Sequence, residues 1–241
     1  QSLRLGNQNV KGFQNHVPGF LYGQVLAQLQ GLLKVHWFIP TFVAIPTTAG
    51  AGSETTVAAV ITDSATHRKA SINDPFLIPK YAVLDPELTV GLPPYTTATT
   101  GMDALAHAVE AYTNKTYNTK LENKLAKDAV KLIYDNILTA YADGSNLDYR
   151  SDMSEGTMLG ALAFAVSGLG AVHGLAHPVG ALTHKPHGLV CGILLPHVLK
   201  WNFPVCCKEL DELAVYCGIS SGFELIGYVE YLLEKFNIDR K

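Results

Sequence analysis

The spacing of apolar and polar positions changes character once along the chain. In the first third, apolar residues come in short, β-branched runs: FVAIPTT at 42–48, TTVAAVIT at 55–62, HRKASI at 67–72 and KYAVLD at 80–85. Runs of this length between turn signals predict strands. From Thr96 the period becomes helical. Thr99 or Thr100 is placed to cap a helix running to about Tyr112. Leu121, Leu125, Val130, Ile133, Ile137 and Leu138 predict a second helix over about 120–142, stopped by Asp143-Gly144. A third is expected at 151–168, and PHGLVCGILLPHVLKW at 186–201 is apolar on almost every side. KELDELAVYCG and FELIGYVEYLLEKF supply two more amphipathic segments. The prolines of LPP at 92–94 interrupt regular structure, so the expected division is an α/β domain over 1–94 and an all-helical domain over 95–241. Residues 1–38 are atypical, rich in Gln, Asn and Gly, with one short amphipathic stretch at 21–35 and no motif.

Composition narrows the choice of partner. A formal charge of −3 with only 16% charged residues shows no basic excess, and no Arg–aromatic interleaving occurs, so no nucleic-acid partner is expected. No sequence run approaches the roughly 18 apolar residues of a membrane span, and no signal peptide opens the chain, so no membrane partner is expected either. Cys191, Cys206, Cys207 and Cys217 lack a CxxC spacing and read as reduced core thiols of a cytoplasmic protein. A hydrophobic fraction of 48% would suit a homo-oligomer such as a dimer.

The chemistry concentrates in two segments. AVHGLAHPVGALTHKPHG at 171–188 holds His173, His177, His184 and His187, and GMDALAHAVEAYT at 101–113 holds Asp103 and His107. Asp103 with His107, and His173 with His177, are each four apart and share a helix face. His187 follows a Lys-Pro break. Asp103, His107, His173 and His187 together offer one oxygen and three nitrogens, a set that suits Fe, Zn, Ni or Co better than Mg or Ca. Such a set can leave one position open for a substrate oxygen. Single histidines on apolar helices are more often hydrogen-bonded core residues, and spacing does not bring the two helices together. His177 could face the same cavity without ligating, as part of a proton path, or be a core histidine bonded to a carbonyl. The turn TTAGAGSE, after an apolar strand, can present N–H groups to a phosphate or simply connect two elements.

AIPTTAGAGSE, VITD, HRKASI, LIPKYAVLDPEL, GLPP, TGMDALAHAVEAYTN and AVHGLAHPVGA with PHG and ILLPHVLKWN, in this order from about Ile39 to Asn202, resemble the iron-containing (group III) alcohol dehydrogenases. The resemblance implies a Rossmann-like α/β domain, incomplete in this sequence, followed by an all-α metal-binding domain. It also implies a metal- and NAD(P)-dependent enzyme acting on a small alcohol or aldehyde. The family's metal ligands fall on Asp103, His107, His173 and His187, for Fe2+ or Zn2+, and its histidine near the nicotinamide falls on His177. The turn that lines NAD or NADP falls on Thr47, Thr48, Gly50 and Ser53. Ala51 stands where the family usually has Thr, and the pyrophosphate-binding GGGSxxD motif is not found before Ile39. The family's chain also usually continues past Lys241, so the sequence looks like a central portion of a dehydrogenase. His184 falls where relatives vary, and reads as a pocket-lining or a loop residue. A glycerol dehydrogenase, a dehydroquinate synthase-like lyase and a catalytically silent metal-binding relative are the competing readings.

Overall fold

The computed structural model describes residues 29–35, 40–62 and 69–239; most of the 21–35 stretch and the first residues of the 67–72 run lie outside them. The chain divides into two units, residues 1–47 with 53–84 and residues 48–52 with 85–241. The division thus falls ahead of the prolines at 92–94, and the middle of the Thr-Gly turn belongs to the helical unit.

Among its described residues the first unit has five short strands: β1 (Gly31–Leu32), β2 (Val43–Ala44), β3 (Ala58–Thr62), β4 (Lys69–Asn73) and β5 (Tyr81–Ala82). β3 and β4 pair antiparallel, Ala58 opposite Asn73, while β1 joins β4 in parallel and β2 pairs with β5 in parallel. Leu29, Val35, Ala59, Ile61, Ile72 and Leu77 form its core, with Phe42 packed against them. The 42–48 run yields only two strand residues, because Pro46 has no N–H to donate to a ladder. Buried Asp74 ties this unit together. Its carboxylate accepts from Val35 N at 3.0 Å and from Phe76 N at 3.0 Å, the latter capping the 3-10 turn Pro75–Leu77.

The second unit is a six-helix bundle: α1 (Pro94–Thr113), α2 (Lys120–Ala142), α3 (Leu147–Ser167), α4 (Ala171–Thr183), α5 (His187–Cys217) and α6 (Gly222–Lys235). α1 begins earlier than the threonines suggest. Pro94 opens it, since its missing N–H costs nothing in a first turn. Thr99 and Thr100 lie inside, their hydroxyls turned back onto the Tyr95 and Thr96 carbonyls at 3.0 and 2.8 Å. α2 spans the predicted range and starts from a capping box between Thr119 and Glu122. The segments 186–201 and 208–218, expected as separate helices, are one helix bent at Cys206 (φ −128°), just after Pro204 removes a helical hydrogen bond. Run length led the sequence reading to expect no span. Yet α5, with a mean hydropathy of 1.4 in its best window, is long and apolar enough to cross a membrane. Here that apolarity is used for packing, because α5 lies against α1, α4 and α6.

α1 runs through the middle of the unit, packed against α2, α3 and α5. Its many small residues let neighbours come close: a Cβ on Gly160 of α3 would sit 3.4 Å from that of Ala108. Met102, Leu105, Val130, Ile133, Ile137, Leu195, Leu210 and Leu225 fill the core. Arg150 is buried with no carboxylate partner among the described residues; its guanidinium donates to Gly144 O (2.9 Å), Thr97 Oγ1 (2.8 Å) and Leu92 O (3.3 Å), fastening the entry to α1. Cys191, Cys206 and Cys217 are buried and form no disulfide among the described residues, as expected, whereas Cys207 is exposed and belongs to no core.

Candidate metal centre

Three helices deliver the candidate side chains. α1 presents Asp103 and His107 one turn apart, α4 presents His173 from its first turn, and α5 presents His187 as its first residue. Pro186 sets the entry to α5, and Gly188 lets that entry ride directly on α1. A Cβ at Gly188 would lie 2.3 Å from the Thr99 carbonyl oxygen and 3.2 Å from Asp103 Cβ. Asp103 Oδ1 consequently stands 3.5 Å from His173 Nε2 and 3.7 Å from His187 Nε2.

Asp103 Oδ1 and His173 Nε2 are both buried and have no hydrogen-bond partner. Burying such atoms unpaired costs about 1–3 kcal/mol each, so the pair calls for a third group between them. A divalent cation fits. Asp103, His173, His187 and Cys191 each bring a donor atom within 4.8 Å of all the others. His107 takes a different position: its ring stacks on those of His173 (centroids 4.3 Å apart) and Phe164 (4.6 Å). His107 Nδ1 donates to the Gly50 carbonyl at 3.2 Å, which leaves the lone pair on Nε2.

A second carboxylate fixes the tautomer of His173. Glu110, one turn beyond His107 and buried, accepts from His173 Nδ1 at 2.7 Å and from Val172 N at 2.6 Å. The proton thus sits on Nδ1 and the Nε2 lone pair faces Asp103, an arrangement that orients metal-binding imidazoles. Gly170 makes room for it, since a Cβ there would lie 2.7 Å from Glu110 Oε1. Burial works against ionising both carboxyls, but the imidazoles outweigh it: His107 and His173 chiefly for Asp103, and the His173 hydrogen bond for Glu110. Both are held below the usual carboxylate range. Burial lowers His107 to about 4, so its ring is neutral. For His173 burial is overridden by the adjacent Asp103 and Glu110 carboxylates, and its pKa rises. Two buried carboxylates thus demand positive charge at this point, which a proton on His173 supplies in part and a divalent ion would supply in full.

His177 is exposed on α4, not a core histidine, with its ring stacked on that of His187 at 5.1 Å and edge-on to His173 at 6.5 Å. His184 is exposed and terminates α4 in the left-handed region (φ 56°). In the Thr-Gly turn, Thr47 and Ser53 belong to the first unit, Thr48 and Gly50 to the helical one. Gly50 and Gly52 have a packing task. A Cβ on Gly50 would lie 2.6 Å from the Thr100 carbonyl oxygen, and one on Gly52 (φ +60°) 2.4 Å from Ala161 Cβ. Glu110 and Cys191 were passed over in the sequence. Both were findable by the spacing that found the others, as Glu110 lies seven residues after Asp103 and Cys191 four after His187.

Fold and site together define a Rossmann-like α/β part followed by an all-α domain that carries a candidate metal site. Matches to known families place the chain within that class. The family profile "Fe-containing alcohol dehydrogenase family, C-terminal" matches residues 97–240, and "Iron-containing alcohol dehydrogenase" matches residues 22–86. The chain belongs to the iron-containing alcohol dehydrogenase family. The likeness therefore extends beyond the Ile39–Asn202 motifs on both sides, into residues that carried no recognisable motif. The chain is 41% identical over 182 residues to the 1-propanol dehydrogenase PduQ of Salmonella typhimurium, covering 75% of this chain and 49% of that one. It superposes with a TM-score of 0.86 at 33% identity on an alcohol dehydrogenase from Oenococcus oeni, covering 92% of this chain and 60% of that one. A sulfoacetaldehyde reductase from Bifidobacterium kashiwanohense in complex with NAD+ gives a TM-score of 0.80 at 29% identity, covering 89% and 57%. The chain spans about half the length of most of the curated relatives it matches, and less of the longest.

Proposed function

We propose that the chain carries the metal centre of an NAD(P)-dependent alcohol dehydrogenase that interconverts a small primary alcohol and its aldehyde. The observation that supports this most is the buried, unpartnered pair Asp103 Oδ1 and His173 Nε2, 3.5 Å apart. Asp103, His107, His173 and His187 would hold Fe2+ or Zn2+. When bound, the divalent ion supplies Lewis-acid polarisation of the substrate oxygen. Glu110 holds His173 in the ligating tautomer, and the Gly50 carbonyl does the same for His107. A bound NAD(P) would supply the acceptor for the hydride of the carbinol carbon, and the hydroxyl proton would have to leave by a separate path. His177, exposed beside His187, takes that proton to solvent, a task suited to an imidazole. The Thr47, Thr48, Gly50 and Ser53 turn is assigned to the cofactor. Similarity to a reductase in complex with NAD+ favours NAD.

The test is oxidation of NADH or NADPH by the Zn2+- or Fe2+-loaded protein with propanal, followed by absorbance. Turnover that disappears in His187→Ala together with the metal, and falls in His177→Ala with the metal retained, supports the assignment. Saturable metal binding with no NADH binding by fluorescence would reduce the chain to a silent metal-binding relative.

A further inference from the structure

We propose that Cys191 is a further metal donor, so that the centre in this chain contains a thiolate and prefers Zn2+ to Fe2+. This rests on the metal centre proposed above and adds one ligand to it. Cys191 is fully buried and lies one turn after His187 on the α5 face that meets α1. That face approaches closely: besides Gly188 against Thr99, a Cβ on Gly192 would sit 3.0 Å from Met102 Cβ. Cys191 thus belongs to the core of the helical unit and at the same time brings its Sγ within 4.8 Å of the donor atoms of Asp103, His173 and His187. Its Sγ is 3.5 Å from His187 Nε2, and His187 Nε2 and His173 Nε2 stand 3.7 and 3.5 Å from Asp103 Oδ1. Donors on one four- or five-coordinate ion with bonds of about 2.0–2.3 Å stand roughly 2.8–4.0 Å apart. The three spacings are those of a shared ion. The unpartnered Asp103 Oδ1 and His173 Nε2 independently mark the place as one that awaits a ligand.

A thiolate changes what the site selects. Imidazole and carboxylate accept iron and zinc alike, whereas a soft sulfur donor favours zinc among the available divalent ions. Binding through sulfur also releases the thiol proton, since the thiolate is the ligand.

Cobalt reports on this directly, because a Co2+–thiolate bond gives an intense near-ultraviolet charge-transfer band that nitrogen and oxygen donors do not. The intact chain is stripped with a chelator and reloaded with Co2+. The expected result is bound cobalt with the band in wild type and in the exposed-thiol control Cys207→Ser, and bound cobalt without it in Cys191→Ser. In Zn2+/Fe2+ competition, Cys191→Ser should narrow the preference for zinc by about ten- to hundredfold, the loss typical when even an outer partner of a metal site is removed. Bound cobalt with only weak visible bands in wild type would refute the thiolate and leave the metal centre standing. A band that persists in Cys191→Ser would refute it too. No cobalt bound to the wild type would overturn the metal centre and this ligand with it. The wild-type spectrum decides even if the variant does not fold.

Discussion

Replacing Glu110 by Gln separates what this side chain does for folding from what it does for the metal site. Glu110 is 5% exposed and accepts two hydrogen bonds, from Val172 N at 2.6 Å and His173 Nδ1 at 2.7 Å. An amide has only one accepting atom. With the amide oxygen on Val172, its NH2 faces His173 Nδ1, and the imidazole must move its proton to Nε2. The lone pair that faces Asp103 is then gone, and metal affinity should fall about ten- to hundredfold, or roughly 1.4–2.7 kcal/mol. With the amide flipped, His173 keeps its tautomer but Val172 N meets a donor, and stability should fall by about 1–3 kcal/mol. Glu110→Ala loses both acceptors and should show both effects. Competition with a chromophoric chelator measures the first quantity and urea unfolding of the metal-free protein the second. Wild-type affinity together with wild-type stability in Glu110→Gln would refute the claim that this carboxylate sets the His173 tautomer.

Gly188→Ala should push α5 off α1, because its Cβ would meet the Thr99 carbonyl at 2.3 Å. The same chelator competition should report weakened metal binding, and an unchanged affinity would show that His187 does not depend on this close approach. Arg150→Ala should cost about 3 kcal/mol or more in urea unfolding, as charged donors to Gly144, Thr97 and Leu92 are each worth about 1.5–3 kcal/mol. Alkaline stability should hinge on Cys217, whose thiol burial pushes up from 9.0 to about 11. Between those values the unfolded chain has lost the proton and the folded chain has kept it. Stability therefore falls as pH rises, by about 1.4 kcal/mol per unit at most. Urea midpoints at about pH 8.5 and about pH 10.5 should converge in Cys217→Ala relative to wild type.

Much of the helical unit was legible because periodicity is a local signal. The 120–142 helix ends where Asp143 and Gly144 said it would, and the spacing of Asp103, His107 and His173 marked helix faces before any helix was seen. What failed was less local. α1 starts at Pro94 because a proline at the first position outweighs threonine caps whose hydroxyls can turn back onto the helix. The helix His187–Cys217 reads as two segments in sequence, yet in the bundle Pro204 only bends a helix that is held by its neighbours on either side of the bend. The strands in the runs 42–48, 55–62 and 80–85 were placed but overlong, since apolar runs do not reveal which residues find a ladder partner. At the site, spacing named Asp103, His107, His173 and His187 but not the distances between helices. These depend on Gly188 and Gly170, glycines whose importance is visible only where another backbone or side chain comes against them.

The most direct test of the central claim is elemental analysis of the protein purified without added metal, beside a His173→Ala variant purified in parallel. The account predicts about one divalent ion per chain in the wild type, zinc where both metals are offered, and little or none in the variant. A wild-type chain that holds no ion even after reconstitution with Zn2+, or a variant that holds as much as wild type, would contradict it.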